Sequence, residues 1–170
     1  HRQYMKEKAL NSSLPYRFYL LGTEKCRTTA QHIEQSEIEG GKIVQMLHAA
    51  DLLFIVTWLP EPADQNQDGN RHQINFEGHN HNMEHIAAAS AAIQNVLIGA
   101  TARDIPSYWS SGGTLRHADL KAYLDIPADE IILGTLFLYP KDADQRGAKV
   151  LPGGLRQQGK DPATWTKWVD

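Results

Sequence analysis

Two stretches of this chain are apolar at successive as well as alternate positions: "DLLFIVTWLP", Asp51 to Pro60, and "EIILGTLFLYP", Glu130 to Pro140. Such runs predict strands buried on both faces of a sheet. A third stretch, "YRFYLLG" from Tyr16 to Gly22, is rich in aromatic residues, follows Pro15 and ends on a glycine. It too predicts a strand. From Thr23 to Ala50 helix formers take over, with breaks near Gly40 and Gly41, so one or two helices are expected there. "EPADQNQDGNRHQ", Glu61 to Gln73, is polar and contains Pro62 and Gly69. It reads as an exposed loop.

The longest predicted helix runs from about Asn80 to Asp104 and stops before Pro106. Its "AAASAAIQNVLIGATA" lacks proline, and its small residues leave a smooth surface that another helix can approach. "PSYWSSGGTLR" then reads as a loop, "LRHADLKAYLDI" as a short amphipathic helix. Past Pro140 comes a polar, glycine-rich arm, "PGGLRQQGKDP", and then "ATWTKWVD", which alternates enough to predict a strand. Trp165 and Trp168 on that strand must be buried in its own sheet or against a partner subunit. The order β-α-β-α-α-β-β predicts an α+β fold, a mostly buried sheet with helices packed over its faces.

Composition narrows the function classes. A chain of 170 residues is expected to form a single domain, residues 1–170, with its own core. The net charge of −3 and the absence of any basic block argue against nucleic acid as a partner. Cys26 is the only cysteine, which excludes an internal disulfide and fits a reducing compartment. No segment approaches the roughly 20 apolar residues that span a bilayer. "HRQYMKEK" at the N-terminus lacks an apolar signal core and does not begin with methionine. A soluble, cytoplasmic protein without a membrane partner is the expectation, in a chain that is processed, truncated or partial.

Two constellations could carry chemistry. In "EGHNHNMEHIAAAS", Glu77 to Ser90, three of the eight histidines fall within seven positions. His81 and His85 stand at i,i+4 on one helical face, with His79 just outside the helix start. A metal requires three such rings to converge at about 2 Å. Glu84, however, is not at the general-base position of a His-Glu-x-x-His motif. In the alternative reading, Asn80 or Asn82 caps the helix, Glu84 favours its positive end, and the histidines face solvent. The expectation is no functional metal. In the second constellation an aromatic pair precedes Ser110, Ser111, Gly112 and Gly113. Consecutive backbone N–H groups and absent Cβ atoms there suit close approach to a flat or anionic ligand, or simply a glycine turn between two helices.

The order of "AAASAAIQNVLIGATARDIPSYWSSG" and "IPADEIILGTLFLYP" resembles the FMN-dependent nitroreductase family, most closely small bacterial members with a Trp-x-Ser-Gly loop. "NSSLPYRFYLL" is similar to the family's polar Ser/Asn run leading into a strand, and "GKDPATWTKWV" to its closing arm. The resemblance covers the chain from about Met5 onward. It implies an α+β sheet flanked by helices, built as an interlocked homodimer with FMN in sites shared between subunits. Carried over by position, Asn11, Ser12 and Ser13 lie along the flavin from one subunit. Trp109, Ser110, Ser111 and Gly112 cover the ring from the other, with a backbone N–H near flavin N5. Lys160 matches the basic phosphate contact, and Lys6 a basic position at the ribityl-phosphate end; by themselves both read as solvated lysines.

The chain departs from the family at two places. Leu14 stands where the family has a glutamine that bonds the flavin. Nothing before Lys6 corresponds to the family's opening helix with its Arg-Arg-Ser phosphate motif, so either that segment precedes residue 1 in the native protein or the phosphate site is impaired. The implied activity is NADH- or NADPH-dependent reduction of a small-molecule acceptor, a nitroaromatic or quinone, by ping-pong hydride transfer. No catalytic side chain is required, because the cofactor carries the chemistry. Two alternatives stay open: a reductive dehalogenase or flavin-cleaving enzyme on the same fold, with Glu61 to Gln73 as the candidate lid, or a flavin-free interaction or metal-binding protein.

Overall fold

The computed structural model describes residues 14–62, 74–148 and 166–169. Four strands, β1 (Tyr16–Gly22), β2 (Leu52–Trp58), β3 (Ser107–Ser110) and β4 (Ile131–Leu138), form one sheet in the order β1-β2-β4-β3. All three pairings are antiparallel. The two doubly apolar runs become the central strands β2 and β4. Their side chains need cover on both faces, and only the middle of the sheet provides it.

Helices α1 (Thr23–Glu34) and α2 (Gly41–Ala49) lie on one face, with a 3-10 turn (Gly113–Arg116) and the short α4 (Ala118–Tyr123). There Leu21, Leu53, Ile55 and Phe137 of the sheet meet Ala30, Ile33, Leu47, Leu115 and Leu120. The expected break between two helices is real. The Arg27 guanidinium of α1 caps the far end of α2, donating to the Leu47 carbonyl and, at 2.7 Å, to the Ala50 carbonyl. On the opposite face α3 (Asn80–Thr101) presses Ile93, Val96 and Leu97 onto Val56 and Leu136. Ala89 of α3 meets Trp58 and Ile131 at one end of this face. No helix among the described residues is long and apolar enough to cross a membrane.

The first face also holds a buried polar network. Glu130 Oε2 accepts from the Tyr19 hydroxyl at 2.8 Å and the Thr57 hydroxyl at 2.6 Å, while Oε1 lies 3.3 Å from Arg17 Nη1. Lys121 Nζ donates to the carbonyls of Ala128 and Glu130 at 2.8 and 2.7 Å. Burial first, then the Glu130 carboxylate, push the Tyr19 hydroxyl well above the usual phenol range. Burial likewise lowers the Lys121 ammonium, against the opposing pull of Glu130 and Asp129.

Two expectations are corrected. Ser107–Ser110 is an edge strand and not part of a loop; Tyr108 and Trp109 suit a pleated edge, and β4 offers a free side for pairing. At the other end, Thr166–Val169 form no strand, and Trp168 is 94% exposed. Alternation alone makes no strand; a neighbour with unpaired backbone groups is also required. The outward face of α3 is open as well, with Met83, Ala87, Ala91 and Ile98 exposed along one line.

Candidate functional site

The serine–glycine run is reached from α3 through a tight reversal. The Ile105 N–H donates to the Ala100 carbonyl at 3.0 Å, and Asp104 takes a positive φ of 54°. Pro106 follows, its carbonyl accepting from the Tyr139 N–H at 2.9 Å, and β3 begins. Trp109 sits opposite Leu136, whose side chain faces α3, and Tyr108 opposite Phe137 on the other face. Both aromatics are half-exposed. Burial, and then Tyr108, push the Tyr139 hydroxyl up to about 12. At neutral pH it is a donor and not a base.

Trp109 is held by a glycine that the sequence reading passed over. The β2–β4 register shifts between Val56, opposite Gly134, and Thr57, opposite Ile132, so Leu133 is the extra residue of a bulge. A Cβ on Gly134 would stand 2.2 Å from Trp109 Nε1 and 3.1 Å from the Ser110 carbonyl oxygen. The indole thus occupies the space of the missing side chain. A glycine inside a strand signals such close approach, and "IILGTL" carried that signal.

Beyond β3 the chain turns sharply. The Ser110 hydroxyl accepts from the Gly112 N–H at 3.2 Å, and the Gly112 carbonyl accepts from the Leu115 N–H at 3.0 Å. Gly112 has φ +104°, which other residues rarely adopt. Its missing Cβ would meet Ile132 Cγ2 at 3.2 Å and Arg116 Cγ and Nε at 3.5 Å; that of Gly113 would meet Ile43 Cγ1 at 3.0 Å. Both vacancies face the protein. This corrects the reading in which the glycines clear space for a ligand: they let the turn lie against β4 and α2. What the turn offers outward is Trp109 and the Ser110–Ser111 segment.

Arg116, absent from the sequence reading, anchors this turn from behind. Its Nε donates to the Ser111 carbonyl at 2.7 Å and its Nη2 reaches the Leu133 carbonyl at 3.4 Å. Burial lowers its pKa below the usual guanidinium range, and no carboxylate pairs with it among the described residues. Trp109, Ser110, Ser111 and Gly112 are therefore brought together with a guanidinium behind them. Lys6, Asn11, Ser12, Ser13 and Lys160 lie outside the described residues, as does 63–73 of the expected lid loop.

The histidine cluster has a structural account. His79, and neither Asn80 nor Asn82, is the N-cap of α3: its Nδ1 accepts from the Asn82 N–H at 3.4 Å, and its Nε2 faces the Glu61 carbonyl. Asn82 is fully buried, accepting from the Glu61 N–H at 2.9 Å and donating to the carbonyls of Glu61 and Glu77 at 3.1 and 2.9 Å. His81 Nδ1 lies 3.6 Å from the Glu61 carboxylate, and His85 is buried. The segment thus clasps the end of β2 to the start of α3. No three His, Cys, Asp or Glu side chains among the described residues converge to hold a metal.

Cys26 is no nucleophile candidate. It is buried in the core, its thiol donates to the Leu21 carbonyl at 3.3 Å, and burial pushes it up to about 11. The β3 edge instead offers an aromatic side chain, hydroxyls and a half-buried guanidinium.

No family model and no curated protein matches the chain. Solved structures do. The chain is similar to a nitroreductase-like family protein from Bacillus cereus at TM-score 0.60 and 17% identity, over 92% of this chain and 74% of that one. A putative nitroreductase in complex with FMN from Desulfovibrio desulfuricans matches at TM-score 0.48 and 21% identity, over 91% of this chain and 76% of that one. A nitroreductase with bound FMN from Bacteroides fragilis matches at 0.46 and 18%, over 92% and 76%. The fold is therefore nitroreductase-like: an antiparallel sheet between helices.

Proposed function

We propose that this protein is an FMN-dependent oxidoreductase that takes a hydride from NADH or NADPH and passes the electrons to a small aromatic acceptor, a nitroaromatic or a quinone. The observation carrying this reading is the half-exposed Trp109, followed by Ser110 and Ser111, on β3, the edge strand among the described residues of a nitroreductase-like sheet. The residues present fit a flavin. An indole, two hydroxyls and a guanidinium behind the turn suit a flat, electron-poor ring with a polar edge, and Cys26 is buried out of competition. When bound, FMN supplies hydride acceptance and delivery, which no side chain can provide.

In this reading Trp109 walls the ring, Ser110 and Ser111 meet its polar edge, and Gly112 lets the turn fold back beneath them. Asn11, Ser12 and Ser13 complete the ring contacts, and Lys160 and Lys6 the phosphate end. The same resemblance makes the protein a homodimer with shared sites, ping-pong in its kinetics. Two exposed apolar surfaces support a second copy: the Met83–Ala87–Ala91–Ile98 line on α3 and Trp168 on the closing arm.

Flavin absorbance of the purified protein, FMN titration followed by Trp quenching, light scattering and NAD(P)H oxidation with a quinone acceptor test the proposal together. A yellow, dimeric protein that turns over is the expected result. A colourless protein without affinity for added FMN overturns it, and a stable dimer of that kind favours the interaction-protein alternative.

A further inference from the structure

A partly buried charged side chain commonly meets a carboxylate, because desolvating the ion is costly. Among the described residues none pairs with the half-buried Arg116, whose Nε and Nη2 donate instead to two backbone carbonyls: Ser111 in the turn and Leu133 in the β4 bulge. Among the described residues β3 pairs with β4 as far as Ser110 opposite Thr135, and there the chain leaves for the 3-10 turn. Arg116 ties the two together by hydrogen bonds beyond that point, and Gly112 packs against its Cγ and Nε, where a Cβ would stand at 3.5 Å.

We propose that Arg116 is the positioning residue of the Trp109–Gly112 segment: by tying the Ser111 carbonyl to the bulge carbonyl of Leu133, it fixes the orientation in which Ser110, Ser111 and the Ser111–Gly112 peptide meet a bound ligand. The bulge serves two purposes in this arrangement. It brings Gly134 under the Trp109 indole, and it presents the Leu133 carbonyl to Arg116. Aromatic wall and polar turn are thereby registered against one point of the sheet. The inference rests on the flavin reading for the identity of the ligand, but not for the positioning itself. Planar fork geometry is what the role requires, so lysine, a point charge on a flexible stem, is a poor substitute.

The test uses the full chain with Arg116→Met and Arg116→Lys, and two independent readouts. In protein without added ligand, amide hydrogen exchange at Gly112 and Leu115, the hydrogen-bonded amides of the turn, should quicken about tenfold in both variants, while the amides of β2 and central β4 keep their protection. With FMN as the probe, the Kd should rise by about tenfold or more, since a small misplacement of a positioned segment is amplified in ligand contacts. The near-UV band of bound flavin should shift as well. Unchanged exchange in the turn overturns the proposal whatever the flavin does. Loss of protection throughout β4 also overturns it, because Arg116 would then merely support the sheet edge. If the parent binds no FMN, the flavin reading fails while the exchange result still decides the positioning role. Should the Met variant fail to fold, Arg116→Gln, which keeps a donor for one carbonyl, carries the same exchange comparison.

Discussion

The two faces of the sheet solve different problems. The face under α1, α2 and α4 is closed and mixed, with apolar side chains around the buried network of Arg17, Tyr19, Thr57, Lys121 and Glu130. The face under α3 is dry where helix meets sheet, yet the helix leaves Met83 and Ile98 in solvent on its far side. A face that must be unique can use charge, since a buried network penalises every arrangement that leaves a member unpaired. Apolar residues on both sides of a helix leave one apolar side uncovered when the other is packed. The half-exposed Trp109 stands on the α3 side of the sheet.

Breaking the charged face should give the largest effect. Glu130→Leu removes the buried carboxylate that meets Arg17, Tyr19 and Thr57 and should cost about 3–5 kcal/mol in urea unfolding. Adding Arg17→Met should restore part of that loss, because both members of the buried ion pair are then removed together. A double variant as unstable as the single one would mean that packing, and not charge, makes this face unique.

Next comes the edge of the α3 face. Gly134→Val must expel the Trp109 indole from its place against β4, at about 1–3 kcal/mol for overpacking. The indole should move into water, with a red-shifted emission. A valine accommodated with unchanged emission would show that the strand, and not the indole, gives way.

The mixed face also predicts a pH dependence. Cys26 is raised by burial from 9.0 to about 11, so the folded protein holds a proton that the unfolded chain releases. Its stabilising contribution is complete below pH 9 and falls away as pH rises through 11. Cys26→Ala should flatten that part of the stability profile, an outcome read from urea midpoints at successive pH values.

The smallest effect on a single chain sharpens the contrast most. Ile98→Lys touches no core residue and should change unfolding free energy by less than about 0.5 kcal/mol. If a second copy covers the outer side of α3, the same substitution should halve the scattering mass at micromolar concentration. A dimer that survives places the contact elsewhere.

Much of the scaffold was legible before any coordinates, and the reasons are local. β2 and β4 announced themselves by apolar residues at successive as well as alternate positions, and α3 by its long run without proline. β3 was missed because five residues between a proline and a double glycine look like loop until a neighbour pairs with them. His79 was read as solvent-facing although it caps α3; the cap depends on Glu61 and Asn82 arriving beside it from two directions. Trp109, Ser110, Ser111 and Gly112 were singled out as one segment and do lie together, but the direction of Gly112 was misjudged. Whether a missing Cβ faces ligand or protein depends on Ile132 and Arg116.

By itself the sequence determined where the chain could be strand, helix or turn, since those follow from period, branching and the backbone freedom of glycine and proline. It also determined that a small, flexible, aromatic-flanked turn follows the longest helix. Only the tertiary structure decided which carbonyls Arg116 would bridge, which charge Glu130 would meet, and which strand residue would yield its space to Trp109. Those contacts join residues far apart in the chain, such as Tyr19 with Glu130 and Trp109 with Gly134. Hydrogen bonds and close packing at such separations are set by distances of a few ångströms, which local propensity does not encode.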